Sequence, residues 1–170
     1  MAIQMIFCVE TNKKADTDSI YLMDAIRHLY TINNQVKISK VYMGSKSKYK
    51  SQSVLKEISE KTKAFTIGET KVIYCIDTDE FEKNKKHEKE LDDIRQFCEE
   101  HGYELLWFCH DVEEVFLGKT ISDSQKVQEA EVFRRKRKIE EIQVEMLSSS
   151  VKRAHTSNLV QILDKYLLRT

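Results

Sequence analysis

Residues 71–79 read Lys-Val-Ile-Tyr-Cys-Ile-Asp-Thr-Asp: five apolar side chains in a row that run straight into two carboxylates. The run is too short for a buried helix and rich in β-branched and aromatic residues, so Lys71–Ile76 reads as a buried strand. Ile3–Val9 (Ile-Gln-Met-Ile-Phe-Cys-Val) has the same character and runs directly into Glu10. Tyr103–Phe108 (Tyr-Glu-Leu-Leu-Trp-Phe) is a third such run. Strands that are apolar on both faces belong to sheets covered on both sides, which is the signature of parallel α/β architecture.

The segments between these runs supply the helices. Thr17–Tyr30 places Leu22, Ala25, Ile26 and Leu29 at the spacing of one helix face. Val36–Met43 alternates with period two and predicts a half-exposed strand. Val54–Lys61 predicts a short helix. Lys86–His101 predicts a charged helix with Leu91, Ile94, Phe97 and Cys98 inward, and Gly102 fits the position just past its end. The order β-α-β-α-β-α-β argues for a mainly parallel, Rossmann-like sheet of about four strands with helices on both faces. After Cys109 only helices are expected: a short one at His110–Leu117, a long charged one at Ser122–Met146, and a last one at Thr156–Leu168. Residues 1–118 thus form the α/β domain, and 119–170 a helical extension packed on it.

Composition bounds the function. Of 170 residues, 28 are Lys or Arg and 28 Asp or Glu, so no global charge draws the chain to nucleic acid, and such binding needs a local patch. Proline is absent and glycine numbers four, which argues against linkers and turn-rich all-β folds. No run approaches the roughly 18 apolar residues of a membrane span, and no signal-peptide pattern opens the chain. Cys8, Cys75, Cys98 and Cys109 show no paired spacing and read as buried thiols in a reducing compartment. The expectation is a soluble, cytoplasmic protein. Gly-rich phosphate loops, His-Glu-x-x-His and Gly-x-Ser-x-Gly are all missing, which leaves NTPase, zinc-protease and α/β-hydrolase readings without support.

The acids at the strand ends carry the chemistry. In an open parallel sheet, functional groups collect beyond the carboxyl ends of the strands. Glu10 and Asp77 would meet there, and Asp79 lies two residues further on. Acids after strands also serve as helix caps, but carboxylates that cluster suit a hard divalent cation, here Mg²⁺ or Mn²⁺. Such an ion can neutralise a phosphodiester and activate a hydroxyl or water.

Glu10 at the end of the first strand, with Asp77-Thr78-Asp79 at a later one, resembles the Toprim fold. Within it the chain is most similar to the small RloB-like and overcoming-lysogenization-defect-type Toprim proteins of bacterial defence systems. Thr17-Asp18-Ser19-Ile20-Tyr21 resembles their Thr-Glu-x-x-Tyr element, with Asp for Glu. Asp111–Leu117 stands where they carry an acidic residue in a short helix. The resemblance spans residues 3–117. It implies Glu10 as general acid/base or metal ligand, Asp77 and Asp79 as metal ligands, and a further catalytic acid at Glu114 or, second, Glu113. The Gly that commonly follows the Toprim Glu is replaced by Thr11, which bears on whether catalysis is retained.

Basic residues offer phosphate contacts. Lys13 and Lys14 follow Glu10, and Lys46, Lys48 and Lys50, with Lys37, Lys40, Tyr42 and Tyr49, cluster around the end of the second strand. Arg134, Arg135 and Arg137, with Lys136 and Lys138, form a run of five positive charges. Glu131–Arg135 and Lys136–Glu140 are spaced as stabilising pairs of an exposed helix. His110 is open to a ligand role or to a structural hydrogen bond, and Trp107 reads as core. Leu159, Val160, Ile162, Leu163, Tyr166 and Leu167 define an apolar face that packs on the domain or pairs a homodimer.

Two functions follow from these features. The first is a Mg²⁺-dependent nuclease or related phosphoryl-transfer protein acting on RNA or DNA, an effector of phage defence or a toxin. The second is a catalytically inactive Toprim-like module that binds a protein partner. The resemblance implies an ATPase partner in either case. A receiver-like domain fits less well, because its acidic pair should follow the first strand.

Overall fold

Strand β1, Ala2–Val9, buries every side chain except Ile3, and a strand wrapped in apolar contacts on both faces belongs at the centre of its sheet. The computed structural model, which describes all 170 residues, places it there. Strands β2 (Val36–Tyr42), β3 (Gly68–Asp77) and β4 (Glu104–Phe108) complete a sheet of order β2-β1-β3-β4, parallel throughout. Register aligns Val9 with Tyr42, Cys8 with Tyr74, and Asp77 with Phe108, so the carboxyl ends of all four strands share one edge. β2 is an edge strand and mostly half-buried, as its alternation predicts.

The pleat sends alternate residues to two cores. Met5, Phe7, Val9, Ile73, Cys75, Leu106 and Phe108 face helices α1 (Thr17–Leu29), α4 (Val112–Leu117), α5 (Lys126–Arg135) and α6 (Leu159–Leu163). Ile6, Cys8, Val72, Tyr74 and Ile76 face α2 (Gln52–Ala64) and α3 (Lys85–His101). The fold is therefore a Rossmann-like α/β sheet covered on both faces, with a helical C-terminal part. Tyr21 ties α1 to its neighbours, stacking on Phe116 at 5.5 Å and meeting Phe133 edge-on at 4.9 Å. Asn84 caps α3 by accepting from the N–H groups of Lys86 and His87, and Gly102 ends it in the left-handed conformation.

Three helix expectations need correction. α2 is longer than its apolar residues suggested, thirteen residues, because the Ser51 cap starts it at Gln52 and it runs on past Lys61 to Ala64. The long helix over Ser122–Met146 does not form. α5 ends at Arg135, Arg137 turns left-handed at φ +52°, and the chain continues in two 3₁₀ turns, Lys138–Glu141 and Val144–Leu147. Ile139 and Ile142 lie three apart, as do Val144 and Leu147, a spacing that serves a 3₁₀ turn as well as an α-helix. The last helix shrinks to five residues. Its apolar face, from Leu159 to Leu167, is packed into the chain's own core.

Residues 156–158 run along the outer margin of β4. Ser157 forms an antiparallel bridge with Phe108, and the Asn158 side chain donates to Leu105 O at 3.0 Å while accepting from Trp107 N at 2.9 Å. No helix is long and apolar enough to cross a membrane.

Candidate metal centre

At the shared edge of the sheet, Glu10 reaches across from β1 and accepts the backbone N–H of Asp77 at 2.5 Å. Asp77, the last residue of β3, accepts in turn from Val112 N at 3.1 Å, in the first turn of α4. Asp111 caps that helix by accepting from Glu114 N at 2.8 Å. Beside it Glu113 is 1% exposed, and neither of its carboxylate oxygens has a hydrogen-bond partner. Its one nearby cation is Lys126, at 3.9 Å. Asp18 enters from the first turn of α1.

Burial and neighbouring acids raise the carboxyls of Glu10, Asp18, Asp77 and Glu113. Burial pushes the Glu10 carboxyl up to about 8, against the opposing pull of Lys46 and the Asp77 N–H. Burial and then Glu113 push Asp18 up to about 7. Asp77 is raised well above the usual carboxylate range, first by burial and then by Glu10, Asp18, Glu113 and Asp111. Glu113 is raised by burial, with Lys126 opposing. Glu113 is buried and the other four carboxylates are half-buried around it; together they are paired incompletely by the protein itself, and their chemistry matches an oxygen-liganded divalent cation. Glu10, Asp18, Asp77, Asp111 and Glu113 are the residues that could hold it.

The structure thus brings Glu10 and Asp77 together and sorts the remaining candidates. Asp79, at φ +50°, forms an ion pair with Lys46, whose ammonium also donates to Asp77 O at 2.7 Å. Glu114 turns away to His110 Nδ1 at 3.2 Å, so the acid of α4 that faces the cluster is Glu113. Asp18 was visible only as part of a motif. Its signal was positional: residues 18, 22, 25 and 29 lie on one stripe, and an acid on an apolar stripe is an anomaly. Glu113 stands likewise three residues before the inward Phe116. Thr11 is not in the left-handed region, and its hydroxyl donates to Asp16 at 3.3 Å, so the loop after Glu10 has no need of glycine.

Among the basic residues singled out from the sequence, Lys46 alone enters the site. Lys13 and Lys14 sit exposed on a 3₁₀ turn capped by Asn12, and Lys48 and Lys50 are exposed after β2. Lys40 and Tyr42 both bind Asp16. Arg134 and Arg135 close α5, and Arg137 pairs with Glu140 at 2.7 Å. The anticipated pairs Glu131–Arg135 and Lys136–Glu140 do not form: the first is unpaired although both residues lie in α5, and the second loses its helical spacing because α5 ends at Arg135. Trp107 is core, and all four cysteines are free and buried.

No family model, curated protein or solved structure matches the chain. The site must be read from its own residues.

Proposed function

We propose that this edge of the sheet binds Mg²⁺ or Mn²⁺ and carries out phosphoryl transfer on RNA or DNA, as a nuclease of the Toprim type. The observation that carries the reading is Glu113, a buried carboxylate without a hydrogen-bond partner, set among Asp18, Asp77 and Asp111. Leaving such a group unpaired costs the fold several kcal/mol, on the order of its desolvation, unless a cation completes it. When bound, the metal supplies charge neutralisation for a phosphate and acidifies a water or hydroxyl. The protein's own part is to fix the ligands on rigid elements. Glu10 is held by the Asp77 N–H, Asp77 by the Val112 N–H, and Asp111 by its capping bond. The exposed Lys13, Lys14, Lys48 and Lys50 follow the ends of β1 and β2, where a polynucleotide backbone entering the site would meet them. Arg134, Arg135 and Arg137 extend the basic surface on the α5 side.

Purified protein incubated with single-stranded, duplex and structured RNA or DNA in Mg²⁺ or Mn²⁺ tests this directly. Cleavage that disappears in Asp77→Asn and in Glu113→Gln is expected. Cleavage equal in wild type and both variants would sink the reading. Metal binding without cleavage favours the second reading, a partner-binding module without catalysis, working beside an ATPase or another subunit. The observation on its side is the Lys46–Asp79 pair, which occupies the second acid of the Asp-x-Asp element with an ammonium.

A further inference from the structure

A second cluster, chemically unlike the first, lies where the β3–α3 and β4–α4 loops meet. His110 Nε2 is 3.0 Å from Glu82 Oε1, and the Cys109 thiol completes a set whose ligand atoms all lie within 4.8 Å of one another. The other imidazole nitrogen, Nδ1, is 3.2 Å from Glu114 Oε2. We propose that Glu82, Cys109 and His110 form a site for a borderline divalent cation of the Zn²⁺ type, separate from the acidic pocket and independent of its function.

The arrangement has the parts such a site needs. Thiolate, imidazole and carboxylate together select Zn²⁺ or Co²⁺ over Mg²⁺, which prefers oxygen alone. Glu114 on Nδ1 supplies the outer carboxylate that fixes a ligating histidine's tautomer and leaves the Nε2 lone pair directed at Glu82. A neutral imidazole lone pair aimed at a carboxylate is repulsive unless something positive lies between them. An imidazolium proton would serve that pair but would leave the thiol without a role.

The supporting backbone is tightly tied. Thr78 N donates to Phe108 O at 3.0 Å, Asp79 N to His110 O at 2.8 Å, and His110 N to Thr78 Oγ1 at 2.8 Å. Both residues exchanging the middle bond, Asp79 and His110, have positive φ, a conformation that aims the His110 ring back across the loops. Tetrahedral ligands of Zn²⁺ stand about 3.5 Å apart, so a set whose atoms already lie within 4.8 Å of one another needs only small side-chain adjustments to close on the ion. Three protein ligands leave a fourth position for water on the solvent side. Binding releases the Cys109 thiol proton to solvent as the Sγ–metal bond forms. The ion would clamp together the two loops that carry Asp77 and Asp79 on one side and Asp111 and Glu113 on the other.

The full chain, treated with chelator and titrated with Co²⁺, gives the test. One equivalent should produce a thiolate-to-cobalt charge-transfer band with the visible bands of tetrahedral Co²⁺, and excess Mg²⁺ should leave them unchanged. Cys109→Ser should abolish the charge-transfer band. His110→Ala should abolish tetrahedral binding, and Glu114→Ala should weaken Co²⁺ affinity about 10- to 100-fold. Asp77→Asn with Glu113→Gln should retain every band, which separates this site from the acidic pocket. Glu82→Gln, at an exposed position, keeps the test open should Cys109→Ser fail to fold. It should weaken binding while circular dichroism stays native. Absence of a thiolate band in wild type, its persistence in Cys109→Ser, or unchanged affinity in both Glu82→Gln and His110→Ala overturns the proposal.

Discussion

Glu10, just past the end of β1, accepts the backbone N–H of Asp77 on β3 at 2.5 Å, across 67 positions of sequence. The donor belongs to the main chain, so the contact survives any substitution of the Asp77 side chain. It couples the ends of two neighbouring parallel strands and keeps one oxygen of Glu10 turned toward Asp77. Lys46 reinforces the same point from the β2–α2 loop, holding the Asp77 carbonyl and the Asp79 carboxylate together. The site is thereby rigid before any ligand arrives.

Metal-free stability should fall as pH rises. The Glu10 carboxyl moves from its ordinary 4.5 to about 8 on folding, so across that interval the folded chain holds a proton that the unfolded chain has released. Stability contributed by the protonated form is complete at the acidic end and is lost toward the upper value. Asp18, raised to about 7, acts in the same direction. Urea unfolding in chelator at several values between about pH 5 and about pH 8 should show this decline. Saturating Mg²⁺ should remove most of it, and Glu10→Gln should lessen it. A metal-free stability that climbs over the same range would contradict the arrangement described.

Glu113→Gln should stabilise the metal-free protein. The native carboxylate is buried without a hydrogen-bond partner and has only Lys126, at 3.9 Å, to offset its charge, so replacing it by an amide of the same shape should gain about 1–3 kcal/mol. The same variant should bind Mg²⁺ at least tenfold more weakly in a calorimetric titration. Stability and binding moving together in one direction would argue for a structural Glu113.

Lys46→Ala should shift metal binding upward in pH. The ammonium opposes the rise of the Glu10 carboxyl, so its loss leaves Glu10 protonated to a higher pH. Calorimetry of Mg²⁺ binding across neutral pH should show the half-binding point displaced to the alkaline side.

Gly68→Ala should destabilise the sheet itself. A Cβ at that position would lie 1.8 Å from the carbonyl oxygen of Ala2, its register partner on β1, where no side chain can yield. The expected loss is roughly 3 kcal/mol by thermal or urea unfolding. Gly44→Ala meets no atom and carries only the strain of φ +82°, about 1 kcal/mol.

Much of this could be read in the sequence, and the reasons are physical. The runs ending at Val9, Ile76 and Phe108 are apolar on both faces, so their place in a covered parallel sheet followed, as did the meeting of Glu10 with Asp77. What could not be read was orientation within one helical turn. Glu113 and Glu114 are adjacent, and only the capping of α4 by Asp111 decides that the first points to the acids and the second to His110. Nor was the break after Arg135 marked by any glycine or proline. A left-handed Arg137 ends the helix there because Ile139 and Leu147 find their burial in 3₁₀ turns instead.

The strip of chain at 156–158 has an effect beyond its local bonds. By answering Leu105 and Trp107 with an asparagine side chain and Phe108 with a bridge, it occupies a sheet margin whose groups would otherwise remain open. Removal of residues 156–170 would uncover a row of unanswered donors and acceptors beside Trp107. Such a margin recruits whatever strand it meets, and the core face that Leu159–Leu167 cover would be bared beside it, so a clipped chain would be expected to self-associate by strand addition.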